Sequence, residues 1–205
     1  MFLQGSALHS MSGFALFGMV LYSLTCLLYL RRMSLSLTIS PATAPNIPAL
    51  VALVNRAYRG EASRRGWTTE AHLLDGLRTD ENELGKLLAT PSVTMLMAHD
   101  TAGQLLGSVY LEIKRPDLYL GMLTVDPDQQ AHGVGRQLLT MAETYARQAE
   151  CTGVLISVIS VRTELIAWYE RLGFQPTGET VPFPEEAKLS VPKQELELLL
   201  MRKML

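Results

Sequence analysis

The sequence predicts an α/β fold in which a mixed central β-sheet of α+β type is flanked by helices, and three observations carry that expectation. Leu118–Glu150 reads as an apolar run, a turn, a pair of glycines and a helix. Two strand-like runs, Val93–Ala98 and Gln104–Ile113, precede it, and a further apolar run, Val154–Ile159, follows it. Successive strands joined by short turns pair antiparallel, whereas a strand returning through a helix pairs parallel, so one sheet must hold both senses.

Taken in order, the chain begins with a leader. Residues 1–30 contain no Asp, Glu, Lys or Arg, and residues 7–30 are apolar enough and long enough to cross a bilayer. A secretory signal fits poorly, because Arg31 and Arg32 follow the apolar run instead of preceding it. Two readings stand. Residues 7–30 form a membrane anchor whose flanking Arg31, Arg32, Arg56 and Arg59 keep the rest of the chain on the cytoplasmic side. Otherwise Met33 is the true start, and the rest is a cytoplasmic protein. The expected division is therefore a leader, residues 1–32, and one domain, residues 33–205, which is long enough to bury a core.

Within the domain, Leu35–Ile39 alternates as a short strand. Ile47, Leu50, Val51, Val54, Ala57 and Tyr58 form a helical stripe, with Asn46 as its cap and Gly60 as its stop. Glu61–Thr69 is polar and loop-like around Trp67. Helical runs are expected over Glu70–Leu77 and Asp80–Ala89, the second closed by Pro91. The strands Val93–Ala98 and Gln104–Ile113 form a hairpin through residues 99–103, and Arg115-Pro116-Asp117 turns the chain into Tyr119–Val125. Val134, Leu138, Met141, Tyr145 and Ala149 mark one face of the following helix. After Val154–Ile159, Thr163 is expected to cap a helix over Glu164–Leu172 that ends at Gly173. Pro176–Pro192, with four prolines, is expected as a surface excursion before a last strand, Leu196–Met201.

Composition narrows the function. Hydrophobic residues make up 48% of the chain and charged residues 19%. Without the leader's two arginines there remain 16 basic and 20 acidic residues, which leaves no basic footprint for nucleic acid and favours a cationic acceptor. Cys26 and Cys151 are too few and too far apart for a disulfide framework or a CxxC site, and the four histidines lack ligand spacing, so no metal is expected.

Chemistry is expected at the turn after Val125. Gly133 and Gly135 at the mouth of a helix let the main chain approach a ligand closely and aim uncommitted N–H groups at one point, which suits an anion. Arg136 adds charge beside it. The dinucleotide fingerprint does not fit, since Leu138 stands where its third small residue belongs, and no GxxxxGK[ST] occurs. Gly121, inside the strand, marks either a bulge or an ordinary small residue.

Gln130-x-x-Gly133-x-Gly135, preceded by Leu123-Thr-Val125-Asp126-Pro127 and followed by Tyr169-x-x-x-Gly173-Phe174, resembles the acetyl-CoA motif of the GNAT superfamily of N-acetyltransferases. The resemblance runs from about Leu35 to the C-terminus and implies the GNAT fold and acetyl-CoA as acyl donor. It implies that main-chain groups of Gln130, His132, Gly133, Val134, Gly135 and Arg136 hold the diphosphate, and that the strand backbone at Leu123 and Val125 pairs with the pantetheine arm. It also implies that the Tyr169 phenol protonates the departing thiolate, although Leu165, Trp168, Tyr169 and Leu172 equally form an apolar stripe. His132 sits at a variable position of the motif.

Two departures follow. Arg162 replaces an Asn common in the family and is expected either to reach a phosphate or to close a surface ion pair with Glu164. No carboxylate lies on Leu118–Val125, leaving Glu112 on the preceding strand, or water, as general base. The expected function is transfer of an acetyl group from acetyl-CoA to a small-molecule or peptide amine. The alternative is a non-catalytic acyl-CoA-binding domain, membrane-tethered through the leader.

Overall fold

A computed structural model describes residues 36–184 and 189–205. The leader, with its anchor reading, lies outside the described residues. Among the described residues no helix is long and apolar enough to cross a membrane.

Seven strands form one sheet: β1 (Thr38–Pro41), β3 (Val93–His99), β4 (Leu105–Lys114), β5 (Asp117–Val125), β6 (Gly153–Ile159), β9 (Glu197–Met204) and β7 (Gln175–Pro182), in that spatial order. Only β5 and β6 run parallel. They are the pair connected through a helix, so the expected mixed sheet is present. Helix α1 (Ile47–Tyr58), the single turn α2 (Gly60–Ser63) and α3 (Glu81–Leu88) come before the meander, α4 (Val134–Gln148) makes the crossover, and α5 (Thr163–Arg171) follows β6.

The sheet is covered on both faces because its strands are apolar on both. Val93, Met95 and Met97 of β3 pack with Leu50 of α1 and Leu84 of α3, while Leu96 and Ala98 join Leu138 and Ala142 of α4 and Phe174 in the larger cluster. Helix α4 buries Val134, Leu138, Ala142 and Ala146, a stripe at steps of four. Met141 was expected on that face but points outward at 39% exposure, and Leu139 is buried instead.

Several local expectations are corrected. The first strand begins at Thr38, where pairing with β3 begins. Asn46 adjoins α1 without capping it, since its side chain accepts from Thr43 one turn earlier. Helix α1 does end at Tyr58, just before Gly60, but Gly60, at φ +71°, also opens the turn α2. Residues 70–77 are turns leading to a short strand, β2 (Leu74–Gly76), paired with β8 (Ser190–Pro192). The apolar spacing there served a turn and a bridge. The proline-rich stretch is partly sheet: β7 is an edge strand, where proline's missing N–H costs no central ladder bond. Thr163 is the first residue of α5, and Arg162 precedes it as the cap residue.

Candidate active site

The site begins with a defect in β5. Gly121 pairs with Tyr110 and Thr124 with Ser108, so Met122 and Leu123 together face Val109 alone. This is a β-bulge, and its strained residue is Met122, at φ +43°. The consequence appears on the other side of the strand. Pairing between β5 and β6 runs from Asp117 to Leu120 and stops, although β6 continues to Ile159. The two parallel strands splay from Gly121 onward.

Splaying leaves main-chain groups facing the gap. The Asp126 N–H donates to Leu106 C=O across β4, so by alternation Leu123 and Val125 turn theirs away from β4. Their carbonyls have partial partners already. Leu123 C=O accepts from the Tyr58 hydroxyl at 2.8 Å and Val125 C=O from Gln130 Nε2 at 3.4 Å. Each carbonyl retains a lone pair.

Beyond Val125, Asp126 caps the short helical turn Pro127–Gln129. Ala131 (φ +67°) and Gly133 (φ +81°) then bend the loop into α4. A Cβ at Gly133 would meet nothing within 4 Å, so the space over the loop is open, and one at Gly135 would touch only Val125. No side chain caps α4, and no acidic residue lies in its first turn. The first turn therefore presents the amides of Val134, Gly135 and Arg136 outward. Gln137 N–H is already bonded to Gly133 C=O. Val134's side chain is core, His132 is exposed with Nδ1 at 3.3 Å from Gln129 C=O, and Arg136 is an exposed cation.

Gln130 serves differently from its neighbours. Its Oε1 accepts from Trp67 N–H at 2.9 Å and its Nε2 donates to Thr68 Oγ1 at 3.0 Å. Arg162 holds the same segment from the other side: its guanidinium donates to Trp67 C=O at 2.6 Å and Thr68 C=O at 3.3 Å, and pairs with Glu164 at 2.8 Å. Arg162 is 3% exposed. The expected ion pair with Glu164 is thus present, but Arg162 itself is buried, and its guanidinium ties residues 67–68 to the start of α5.

A cavity of about 630 Å³ opens between these elements, lined by Gly121–Leu123 of β5, Ile156–Ile159 of β6, Tyr58, Leu165 and Tyr169, with a charged wall from residues 59–86. Tyr169 is 6% exposed and its ring packs edge-on against Trp168 and Phe174. Among the described residues its hydroxyl has no hydrogen-bond partner, and burial pushes the phenol far above its ordinary range. Burial, helped by the Glu70 charge, also pushes Tyr58 up to about 12. Both stay protonated at any ordinary pH.

Glu112 is not brought to this cavity. It lies on β4, accepts from Tyr110 Oη at 2.9 Å and pairs with Lys114 at 2.8 Å. Burial works against its charge, but those hydrogen bonds outweigh it and hold the carboxyl below its usual range. The carboxylates that do line the cavity are Glu70, Asp80 and Glu83. Glu70 is ion-paired with Arg59 at 2.7 Å, and Asp80 caps α3 through Glu83 N–H at 2.7 Å. Sequence reasoning missed these, together with Tyr58 and Arg78. Tyr58 was read as one more apolar position of its helix, and the signal it carried was a hydroxyl at the end of an apolar stripe.

With this geometry in view, likeness to known proteins is informative. Residues 50–174 match the acetyltransferase (GNAT) family model. The chain belongs to that family. It is 33% identical over 150 residues to a mycothiol acetyltransferase of Saccharopolyspora erythraea, covering 69% of this chain and 44% of that one. It is 23% identical over 120 residues to mouse N-acetyltransferase family 8 member 3, covering 56% and 53%. The chain thus spans about half the length of these curated relatives. The fold superposes on a GNAT superfamily phosphinothricin acetyltransferase from Sinorhizobium meliloti in complex with AcCoA, with a TM-score of 0.60 and 15% identity over 82% of this chain and 88% of that one.

Proposed function

We propose that the protein is an N-acetyltransferase that passes the acetyl group of acetyl-CoA directly to a primary amine. The observation that carries this reading is the junction of the splayed β5–β6 gap with an open, uncapped glycine loop at one end and a buried, unpartnered phenol in the same cavity. The residues fit the donor. The amides of Val134, Gly135 and Arg136 suit a diphosphate, and the outward main chain of Leu123 and Val125 suits an amide-bearing arm laid along the strand.

Acetyl-CoA supplies an activated thioester; the protein supplies position and protons. Three charge-assisted hydrogen bonds from main-chain amides, at about 1.5–3 kcal/mol each, outweigh what one exposed arginine adds, about 0–1 kcal/mol. The loop, not Arg136, is thus the anchor. As the amine's C–N bond forms and the C–S bond breaks, Tyr169 is placed to give its proton to the thiolate sulfur, and the proton that the nitrogen sheds on becoming an amide restores the phenol. The ammonium's own proton leaves beforehand toward the open wall that carries Asp80 and Glu83. Glu112, held by Tyr110 and Lys114 outside the cavity, takes no part.

The test is acetylation by the full chain over an amine panel, followed by thiol release and by the mass of the product. Acetyl-amine formed in step with free thiol supports direct transfer. Binding of acetyl-CoA without turnover on any amine would leave only an acyl-CoA-binding domain, and no binding would overturn the reading.

A further inference from the structure

The charged wall of the cavity says what kind of amine it takes, an inference that rests on the acetyltransferase reading. Four cations line the cavity: Arg59, Arg78, Lys86 and Arg162. Arg59 is neutralised by Glu70 and Arg162 by Glu164. Lys86 and Arg78 make no ion pair among the described residues. Lys86 is exposed, whereas Arg78 is half-buried and doubly fixed. Its guanidinium lies over the Tyr58 ring, 5.7 Å from the centroid. Its backbone is clamped by Asn55, whose Oδ1 accepts from the N–H groups of Arg78 at 2.7 Å and Thr79 at 3.3 Å while its Nδ2 donates to Thr79 C=O at 2.8 Å.

This positions a planar donor fork one aromatic ring away from the Leu123 carbonyl, which the same Tyr58 contacts. An uncompensated, preorganised guanidinium inside a cavity matches an oxyanion bidentately. It also repels a second ammonium, so it argues against a polyamine despite the net negative charge of the chain. Asp80 and Glu83, without ion pairs among the described residues, line the same wall and suit the amine end. We infer that the acceptor is an amine that also carries a carboxylate, that Arg78 binds this carboxylate, and that Asn55 is the residue positioning Arg78. The acceptor class is therefore amino-acid-like.

The experiment compares glycine, β-alanine, γ-aminobutyrate and ε-aminocaproate with the plain amines of equal length, using the full chain, and repeats the series with Arg78→Met, Arg78→Glu and Asn55→Ala. At one or more lengths the acid is expected to exceed its matched amine at least about ten-fold in kcat/KM, as one buried charge-assisted pair gives. Arg78→Met removes that preference through KM, Asn55→Ala weakens it, and Arg78→Glu shifts it toward diamines. Calorimetric binding of the same compounds to the CoA-loaded protein gives a readout that does not need turnover. Equal handling of acids and amines, or an equal loss on both in Arg78→Met, overturns the proposal and leaves acetyl transfer intact. Weaker acetyl-CoA binding by Arg78→Met also overturns it, by assigning Arg78 to the donor. Failure of the wild type to bind acetyl-CoA removes the acetyltransferase reading itself, and the proposal with it.

Discussion

The two sides of the proposed site are built in opposite ways. The donor wall, from the β5 bulge through α4 to Tyr169, is mostly main chain: amides at a helix mouth, carbonyls on a splayed strand, and glycines that clear space over them. The acceptor wall, from Tyr58 to Lys86 with Phe183, Pro184, Leu189, Ser190 and Leu198, is side chain set mostly on turns and short elements. Main-chain donors cannot be exchanged without changing the fold, whereas side chains can be exchanged one at a time. A family can therefore keep its donor while changing its acceptor, and the contrast can be broken at either wall.

The largest effect should come from filling the open loop. Gly135→Glu places a carboxylate where the amides of α4 converge, replacing attraction with repulsion in the helix's first turn. Its Kd for acetyl-CoA should rise by at least about 100-fold, or about 2.7 kcal/mol, in calorimetry. Gly135→Ala should stay within about three-fold, because its Cβ would lie 3.5 Å from Val125, an ordinary contact. A loss in the alanine variant would show that the wall depends on shape and not on charge.

Next in size is Tyr169→Phe, which keeps the ring against Trp168 and Phe174 and deletes only the hydroxyl. The expected result is a fall in kcat of about 100-fold, with KM for acetyl-CoA within about two-fold, since a proton delivered only during the reaction does not affect binding. Equal falls in acetyl-CoA affinity and rate would place the hydroxyl in donor binding instead.

The same contrast explains what the sequence revealed. Most of the donor wall is contiguous in sequence: Leu123, Val125, Gly133 and Gly135 lie within one crossover unit, with Tyr169 on the next helix, and strand, turn, glycine pair and helix each leave a local mark. The sheet was readable for the same reason, since β3, β4, β5 and β6 are apolar runs bounded by turn residues. Residues 70–77 were misread because their apolar spacing fits a helix, while the tie of β2 to β8 depends on residues more than a hundred positions away. The side-chain contacts of Arg162 and Gln130 with residues 67–68 were hidden for a related reason. Both reach Trp67–Thr68, a contact that no spacing along the chain encodes. Glu112 was offered because it lies on the strand preceding β5, yet the carboxylates that line the cavity come from an earlier segment.

Both walls hold a buried tyrosine, which gives a smaller, shared effect on stability. Tyr58 is pushed from its ordinary value of 10 up to about 12, and burial pushes Tyr169 and Tyr110 higher still, with the Glu112 hydrogen bond adding to the shift of Tyr110. Above pH 10 the unfolded chain loses protons that the folded chain keeps. The unfolded state then binds fewer protons, and stability falls as pH rises, by roughly 1.4 kcal/mol per pH unit for each such tyrosine. Below pH 10 the three contributions are fully present. Thermal unfolding from pH 8 to 11.5 should show a Tm that declines beyond about pH 10, and Tyr169→Phe should lessen the slope by about one third of the three-tyrosine total. An unchanged slope would mean that the phenol titrates freely and is not enclosed.

The smallest effect is expected at Glu112. Its carboxylate accepts from Tyr110 and pairs with Lys114, whose exposed ammonium contributes about 0–1 kcal/mol. Glutamine retains an acceptor for the Tyr110 hydroxyl, so Glu112→Gln should change kcat by less than about two-fold, within what a surface ion pair accounts for. A general base at this position would instead cost about 100-fold or more. It would also remove the acidic limb from the pH dependence of kcat. A small change with that limb intact assigns proton removal to the acceptor wall, where Asp80 and Glu83 face the cavity; a large one would require β4 to deliver its carboxylate across the sheet edge, a movement that the Tyr110 and Lys114 contacts oppose.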